Sequence, residues 1–220
     1  MHMADTVSVS PEAGRDRIRY SCCRLKESKM LYPNEWEESR MKKNIGAALA
    51  LYPSPVIVVG AMADGKPTWT LAAHAGTVAH SHLMLSLVQA HYINKGIREN
   101  KLVSVNVVDE SWLKEADRMG TVSGNKEDKS GAFAYTMGAH GAPMIDAAKV
   151  SIECEVDGNY ELEHFDNFIC KILATYADEG VLNEKGKIDY AIFKPVLFEF
   201  PTYEYFVTGG KVGDCGKMNK

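Results

Sequence analysis

The sequence predicts an all-β domain with small flanking helices. Short apolar runs rich in Val and Ile recur along the chain, separated by turn-forming residues. The helical patterns between these runs are short, whereas a doubly wound α/β sheet needs long helices between its parallel strands. We therefore expect an antiparallel sheet closed into a barrel.

Residues 55–62 form the first predicted strand and are followed by Asp64 and Gly65, a dipeptide typical of tight hairpin turns. Residues 68–73 should therefore return antiparallel to the first strand. The same pattern of apolar residues predicts further strands at 83–88, 102–108, 150–156, 167–174 and 195–199.

Two short helices are predicted between strands. In residues 91–100, Ile93 and Ile97 are four apart, and Asn94 is a residue type that caps helix N-termini. Residues 110–119 form the second predicted helix, and the polar residues 123–131 form a loop.

Residues 1–40 form a predicted N-terminal extension, and residues 41–220 form the folded domain. The extension shows no sustained apolar period, which begins only after Met41. The codons for residues 37–40 could include a purine-rich ribosome-binding site, so we expect Met41 to be the native start. The alternative is a genuine arm that wraps a partner subunit.

Charge and hydropathy exclude several classes of partner. Lys and Arg total 25 against 29 Asp and Glu, and no basic tract is present, so no nucleic-acid partner is expected. The longest apolar stretch, at 55–62, is far shorter than the roughly 20 residues that span a bilayer, so no membrane association is expected. The N-terminus also has no hydrophobic signal core, so a cytoplasmic location is expected. Five cysteines without a Cys-x-x-Cys pair indicate reduced thiols.

Common motifs for site chemistry are absent from the sequence. It contains no dinucleotide-binding glycine fingerprint, phosphate loop, His-Glu-x-x-His or Gly-x-Ser-x-Gly. Zinc is an open alternative because four histidines crowd one region, but their spacing matches no structural zinc pattern and no metal is expected. These histidines are His74, His80, His82 and His91.

A series of spaced segments carries a family resemblance. The segments are LYPSPVIVVG at 51–60, DGKP at 64–67, TWTLAAHAG at 68–76, HYINKGIREN at 91–100, SVNV at 104–107, DK at 128–129, GAPMI at 141–145 and IECE at 152–155. In this order, the chain from about Met41 to Lys220 resembles the flavin reductase-like family, and within it the flavoredoxins. The resemblance implies a Greek-key FMN-binding split β-barrel that forms a homodimer, with noncovalently bound flavin near the subunit interface.

The resemblance and the residue chemistry together predict an FMN site. A helix beginning at Asn94 would direct its N–H groups to the phosphate, reinforced by Asn94 and Lys95. Lys129 would place a cation near flavin N1 or the C2 carbonyl, unless it is a solvated loop lysine. The full set of predicted FMN-binding residues is Thr68, Trp69, Thr70, Leu71, Ala72, Ala73, His74, Ser86, Leu87, Val88, His91, Tyr92, Asn94, Lys95, Lys129 and Tyr203.

His74 and Tyr203 each allow more than one role in this site. His74 stands where the resemblance implies an aromatic residue, usually Trp, so ring stacking is not expected there, and the imidazole would instead pack on the flavin edge. Tyr203 is expected either to add an aromatic wall to the flavin or to pack in the core. Cys154 alternates with glutamates in a strand, and we expect it to be buried and unreactive.

The function implied by the resemblance is an FMN-dependent oxidoreductase. NADH or NADPH would pass hydride to flavin N5, and electrons would leave to an acceptor, without a catalytic acid or base from the protein. One alternative is a flavoredoxin-type electron carrier that receives electrons from a protein donor. The other is a flavin-free binding module built on the same barrel.

Overall fold

The computed structural model describes residues 42–218. The predictions for the N-terminal extension and for a start at Met41 lie outside the described residues. Within the described part of the chain, the elements are β1 (Ser54–Pro55), β2 (Ile57–Ala63), β3 (Lys66–Ala72), β4 (Ala75–Ala79), β5 (His82–Val88), α1 (Ile93–Asn100), β6 (Leu102–Val107), α2 (Leu113–Thr121), β7 (Tyr135–Met137), β8 (Pro143–Ile145), β9 (Val150–Leu162), β10 (Phe165–Ala177), β11 (Val196–Glu199) and β12 (Glu204–Val207).

A seven-stranded antiparallel sheet forms the main body, in the order β3-β2-β6-β9-β10-β5-β4. Strands β3 and β5 also come close to each other, although they do not pair, so the sheet curls into a barrel that is open between them. Two smaller sheets, β1-β11-β12 and β7-β8, accompany it. The all-β prediction with small flanking helices is confirmed.

The β2–β3 hairpin turns at the dipeptide that the sequence singled out. Asp64 and Gly65 have φ values of 50° and 75°, and both positive angles suit the tight turn that matches the twist of paired strands. Ala63 pairs with Lys66 on either side of the turn, and the register continues to Ile57 and Ala72. The hairpin prediction is confirmed.

One hydrophobic core fills the barrel interior. It is built from inward-facing residues of β2, β5, β6, β9 and β10, together with Ile93 and Ile97 of α1. Helix α1 lies so close to β2 that a Cβ built on Gly96 would be 2.2 Å from the Met62 carbonyl oxygen. Glycine at this position therefore allows the helix to close one end of the barrel.

A second core lies on the other face of β2 and β3. Trp69, whose side chain is only 1% exposed, packs there with Trp112 and with Met119 of α2. Val196 of β11 completes the cluster, so the small sheet and α2 cover the same face.

A buried carboxylate ties α1 to the long β9–β10 hairpin. Asp166 is fully buried and accepts hydrogen bonds from Asn94 at 2.7 Å, Asn159 at 3.0 Å and Arg98 at 2.5 Å. Burial alone would raise the pKa of Asp166, but these donors stabilise the charged form more and lower it. The carboxylate thus stays ionised inside the structure.

The observed elements differ from the predicted ones mainly in length and number. Strands β9 and β10 have 13 residues each and are longer than predicted. The added residues of β9, 157–162, are mostly polar and exposed and so lack an apolar signal. Helix α2 begins at Leu113 rather than at residue 110, since the Asp109 carboxylate holds Ser111 in a turn. Strands β4, β7, β8 and β12 were not predicted from the sequence. Of the helices in residues 42–218, none combines the length and hydropathy needed to cross a bilayer.

Candidate functional site

Two cavities lie side by side at the open edge of the barrel. The first, of about 190 Å³, lies between β3, the start of α1 and the residues that follow α2. The second, of about 170 Å³, lies in the gap between β3 and β5 and is walled by aromatic residues. Leu71 and His91 line both. We call them the polar cavity and the aromatic cavity.

Lys129 is the charged centre of the polar cavity. Its side chain is folded inward, the residue is only 6% exposed, and its ammonium donates to the carbonyl oxygens of Met119 at 2.9 Å and Trp69 at 3.2 Å. Among residues 42–218 no carboxylate lies within ion-pair distance of it. Lys129 is therefore a buried cation without a protein counter-charge, and the solvated-loop interpretation is wrong.

The surroundings of Lys129 lower its pKa. Burial is the main cause, because an apolar environment disfavours the charged form. Two of the three ammonium hydrogens are accounted for by the carbonyls, which leaves one donor for a ligand. An anion in the polar cavity would supply both the missing acceptor and the missing charge.

Strand β3 contributes both backbone and hydroxyl groups. It is the terminal strand of its sheet order, so one row of its backbone groups has no neighbouring strand. The Trp69 carbonyl uses this edge to accept from Lys129. Thr68 and Thr70 are buried and line the same cavity, and Trp69 lines it as well, although its indole packs in the second core.

The start of α1 differs from the prediction. Tyr92, not Asn94, occupies the N-cap position, and no side chain caps the helix. Asn94 is fully buried and donates to Asp166 at 2.7 Å and to the Val88 carbonyl at 3.2 Å, so it lines neither cavity. The N-cap lies two residues earlier than predicted, and the Asn94 side chain is directed towards β10. The N-cap prediction is wrong.

Lys95 is also outside both cavities. Its ammonium pairs with Asp64 of the β2–β3 turn at 2.5 Å, and its side chain is half exposed. Helix α1 instead contributes backbone groups from its start. Tyr92 and Ile93 line the polar cavity, and their backbone N–H groups have no hydrogen-bond acceptor within the described residues. Such N–H groups suit an anionic ligand.

His91 lies at the boundary between the two cavities. Its Nδ1 is 3.5 Å from the Thr70 hydroxyl. Burial, and secondly the charge of Lys129, lower the pKa of His91, so the imidazole is neutral at pH 7. It can donate or accept a hydrogen bond without adding a second charge beside Lys129.

The aromatic cavity offers flat apolar walls. The His74 ring lies 4.8 Å from the Phe200 ring and 5.7 Å from that of Phe165, measured between ring centroids. Burial lowers the pKa of His74, so this ring is also neutral at pH 7. The remaining predicted residues on this side also line the cavity: Ala72, Ala73, Ser86, Leu87 and Val88.

Tyr203 does not line the aromatic cavity. It is 70% exposed with a positive φ of 61°, and its ring packs 5.5 Å from Phe200 and 5.9 Å from Phe198. The chain turns sharply here between β11 and β12, which carries Tyr203 to the outer side of the cluster. Residues that sequence reasoning missed line the cavity instead, namely Phe165, Phe198, Phe200 and Tyr205.

The four histidines considered for zinc are not gathered into a metal site. His82 pairs with Asp157 at 2.8 Å, whereas His74 lies in the aromatic cavity. Within residues 42–218 no group of three or more His, Cys, Asp or Glu side chains has the arrangement of a metal site.

Comparison with known proteins defines the class as a flavin reductase-like split barrel. The family described as "Flavin reductase like domain" matches residues 49–204, and the chain belongs to this family. A comparison with curated proteins finds no match.

Three solved structures are informative relatives. The flavoredoxin from Methanosarcina acetivorans is 32% identical, with 82% of this chain and 98% of that chain covered and a TM-score of 0.77. The flavoredoxin of Desulfovibrio vulgaris (Miyazaki F) is 29% identical, with 82% and 100% covered and a TM-score of 0.75. An FMN-binding protein from Thermus thermophilus, at 18% identity, 80% and 97% coverage and a TM-score of 0.68, shares the fold.

Proposed function

We propose that the chain is an FMN-dependent oxidoreductase that accepts hydride from NADH or NADPH. The observation that carries the proposal is Lys129, a buried cation that faces a cavity and has no carboxylate partner among residues 42–218. Family membership supports a flavin as the ligand, and one structural relative is an FMN-binding protein.

The residues present fit FMN on physical grounds. The ligand carries a phosphate dianion and a large planar ring, so it needs donors in one place and flat apolar walls in another. The polar cavity supplies both sets of donors: the free N–H groups of Tyr92 and Ile93 suit the phosphate, and Lys129 with two buried threonine hydroxyls suits the polar edge of the ring. The aromatic cavity next to it supplies the flat walls.

Bound FMN would supply the redox chemistry by accepting hydride at its ring. Lys129 holds a fixed positive charge in a place from which water is largely excluded, so it favours a ligand that gains negative charge. His91 stays neutral beside it and can orient a polar atom of the ligand. The protein thus contributes charge and orientation rather than an acid or base.

A second candidate is an electron carrier of flavoredoxin type that receives electrons from a protein donor. Two relatives favour it, since both are flavoredoxins and both align over nearly their whole length. The same site serves either function, because both require FMN to be bound, oriented and placed beside a positive charge.

The test begins with the purified chain titrated with FMN. Binding is expected to quench FMN fluorescence and raise the melting temperature, and neither change would occur for a flavin-free module. The loaded protein is then mixed anaerobically with NADH or NADPH. Rapid bleaching near 450 nm supports the reductase, whereas bleaching only by a reduced ferredoxin-like protein supports the carrier.

We also propose that the protein forms a homodimer and works in the cytoplasm. Exposed apolar side chains on the barrel strands support self-association, including Val78, Tyr160 and Leu162. The free thiols of Cys154 and Cys170 fit a reducing compartment. Sedimentation of the full chain tests the first point, and fractionation of source cells tests the second.

A further inference from the structure

The position of Lys129 depends on the loop that carries it. This segment, residues 123–131, contains no helix or strand, and we call it the Lys129 loop. A long lysine side chain loses conformational entropy when it is held in one position, so a buried ammonium needs a fixed backbone behind it. The contacts of Asp128, the residue before Lys129, hold this backbone in place.

Asp128 holds the loop from two sides. Its Oδ1 accepts the backbone N–H of Ser130 at 2.8 Å, which closes a local turn around Lys129. Its Oδ2 accepts from the Lys66 ammonium at 2.9 Å, and Lys66 is the first residue of β3 after the hairpin turn. One carboxylate therefore shapes the loop and connects it to the barrel.

The Lys66–Asp128 pair bridges a cleft. The β2–β3 turn and the Lys129 loop form opposite walls of a cavity of about 430 Å³, and this cavity shares Thr68, Tyr92 and Lys129 with the polar cavity. A link across the two walls fixes the distance between them. It thereby fixes where Lys129 enters the polar cavity.

We propose that Asp128 is the positioning residue for Lys129 and that Lys66 is its anchor on the barrel. This inference rests on the proposed function, since it assigns the pair to the same site. Both side chains are largely exposed, at 65% for Lys66 and 60% for Asp128, and exposed ion pairs add little to stability. The role of the pair is therefore placement of a cation and not stabilisation of the fold.

The first experiment needs no flavin. The full chain is treated with a small amine-acylating reagent, and the rate at Lys129 is followed by mass spectrometry of its peptide. In the wild-type chain the rate is low because the ammonium is buried and bonded to two carbonyls. Asp128→Ala and Lys66→Met are each expected to raise it at least about fivefold, as a freed side chain reaches solvent.

Asp128→Asn separates the two contacts. The amide oxygen can still accept from Ser130, while the charged partner of Lys66 is lost. An acylation rate between those of the wild type and Asp128→Ala is expected. The matched control is Asp214→Asn, which removes one carboxylate from an exposed ion pair with Lys211, and it should leave Lys129 unchanged.

The second experiment measures the ratio of reduced to oxidised FMN affinity. Displacing the cation is expected to lower this ratio about tenfold in Asp128→Ala, a fall of about 30 mV in two-electron midpoint potential. The melting temperature of Asp128→Ala should match that of Asp214→Asn. A purely structural role of Asp128 would instead lower it.

The outcomes separate the two proposals. If the wild type binds no FMN but acylation rises in the variants, the proposed function fails and the positioning role stands. If acylation stays at the control rate, Asp128 does not position Lys129. A raised acylation rate with an unchanged potential would show that the flavin does not use this cation.

Discussion

Replacing Lys129 by methionine tests whether the buried ammonium serves a ligand or the fold. Methionine has a similar length and no charge, so the change removes the cation while filling most of its space. A hydrogen bond to a charged group contributes about 1.5–3 kcal/mol. At about 1.4 kcal/mol for each tenfold, Lys129→Met should weaken FMN binding roughly 10- to 150-fold.

Stability should respond differently from binding. Burial has lowered the pKa of Lys129, so the unfolded chain binds this proton more tightly than the folded chain does. The wild-type chain therefore carries a penalty at neutral pH that fades only as the pH rises towards about 10. The variant loses that penalty but leaves the Met119 and Trp69 carbonyls without a donor, so we expect a change of less than about 1 kcal/mol in unfolding free energy without FMN.

The assay combines FMN fluorescence titration with urea unfolding of the FMN-free chain. Lys126→Met is the control, because it removes one exposed lysine from the same loop. If Lys129→Met binds FMN within about twofold of Lys126→Met, the ammonium does not serve the ligand. If the variant loses most of its stability, Lys129 is a structural residue.

Three further predictions concern packing and titration. Gly96→Ala should destabilise the fold by roughly 1–3 kcal/mol in urea unfolding, because its Cβ would lie 2.2 Å from the Met62 carbonyl oxygen, which reverses the usual gain of alanine in a helix. His74→Phe should reduce the loss of stability as the pH falls below about 6.5, because burial lowers the pKa of His74 and the unfolded chain takes up that proton first. Iodoacetamide should label Cys215 in the native chain but reach Cys154 only on unfolding, since Cys154 is buried and its pKa is raised to about 12.

Each of these predictions has a control in the same chain. Gly76→Ala meets no heavy atom within 4 Å, so it should cost little, and an equal loss in both glycine variants would contradict the packing argument. His80→Phe replaces an exposed histidine and should leave the acid-side stability unchanged. Cys170, which is buried like Cys154, should follow its labelling behaviour, and native labelling of either would mean that the barrel interior opens readily.

The sequence predicted those parts of the fold that local chemistry determines. The β2–β3 hairpin was predictable because Asp64 and Gly65 tolerate the positive φ values that its turn requires. The first strands were predictable because nearly all of their residues are buried, which gives a continuous apolar run in the sequence, as in β2. The outer half of β9, residues 157–162, was not, since its pairing with β10 holds it in place without an apolar pattern.

Asn94 shows why part of the site could not be predicted from neighbouring residues in the sequence. Its residue type favours an N-cap by a margin of about 1 kcal/mol. The structure instead uses it to satisfy Asp166, a buried carboxylate 72 residues away in the chain. An unpaired buried charge costs more than a missing cap, so the long-range contact determines where the helix begins. Nothing in the ten residues around Asn94 indicates that partner.

Lys129, unlike Asp166, is buried without a partner of opposite charge among the described residues. Its two partners are the carbonyls of Met119 and Trp69, 10 and 60 residues away, and neither carries a charge. Asp166 is buried with an arginine to balance it, whereas Lys129 is buried with no carboxylate among the described residues. A fold under selection for stability alone gains nothing from an unbalanced cation there. The missing negative charge is therefore best supplied by a ligand, and the cavity beside Lys129 is where it would bind.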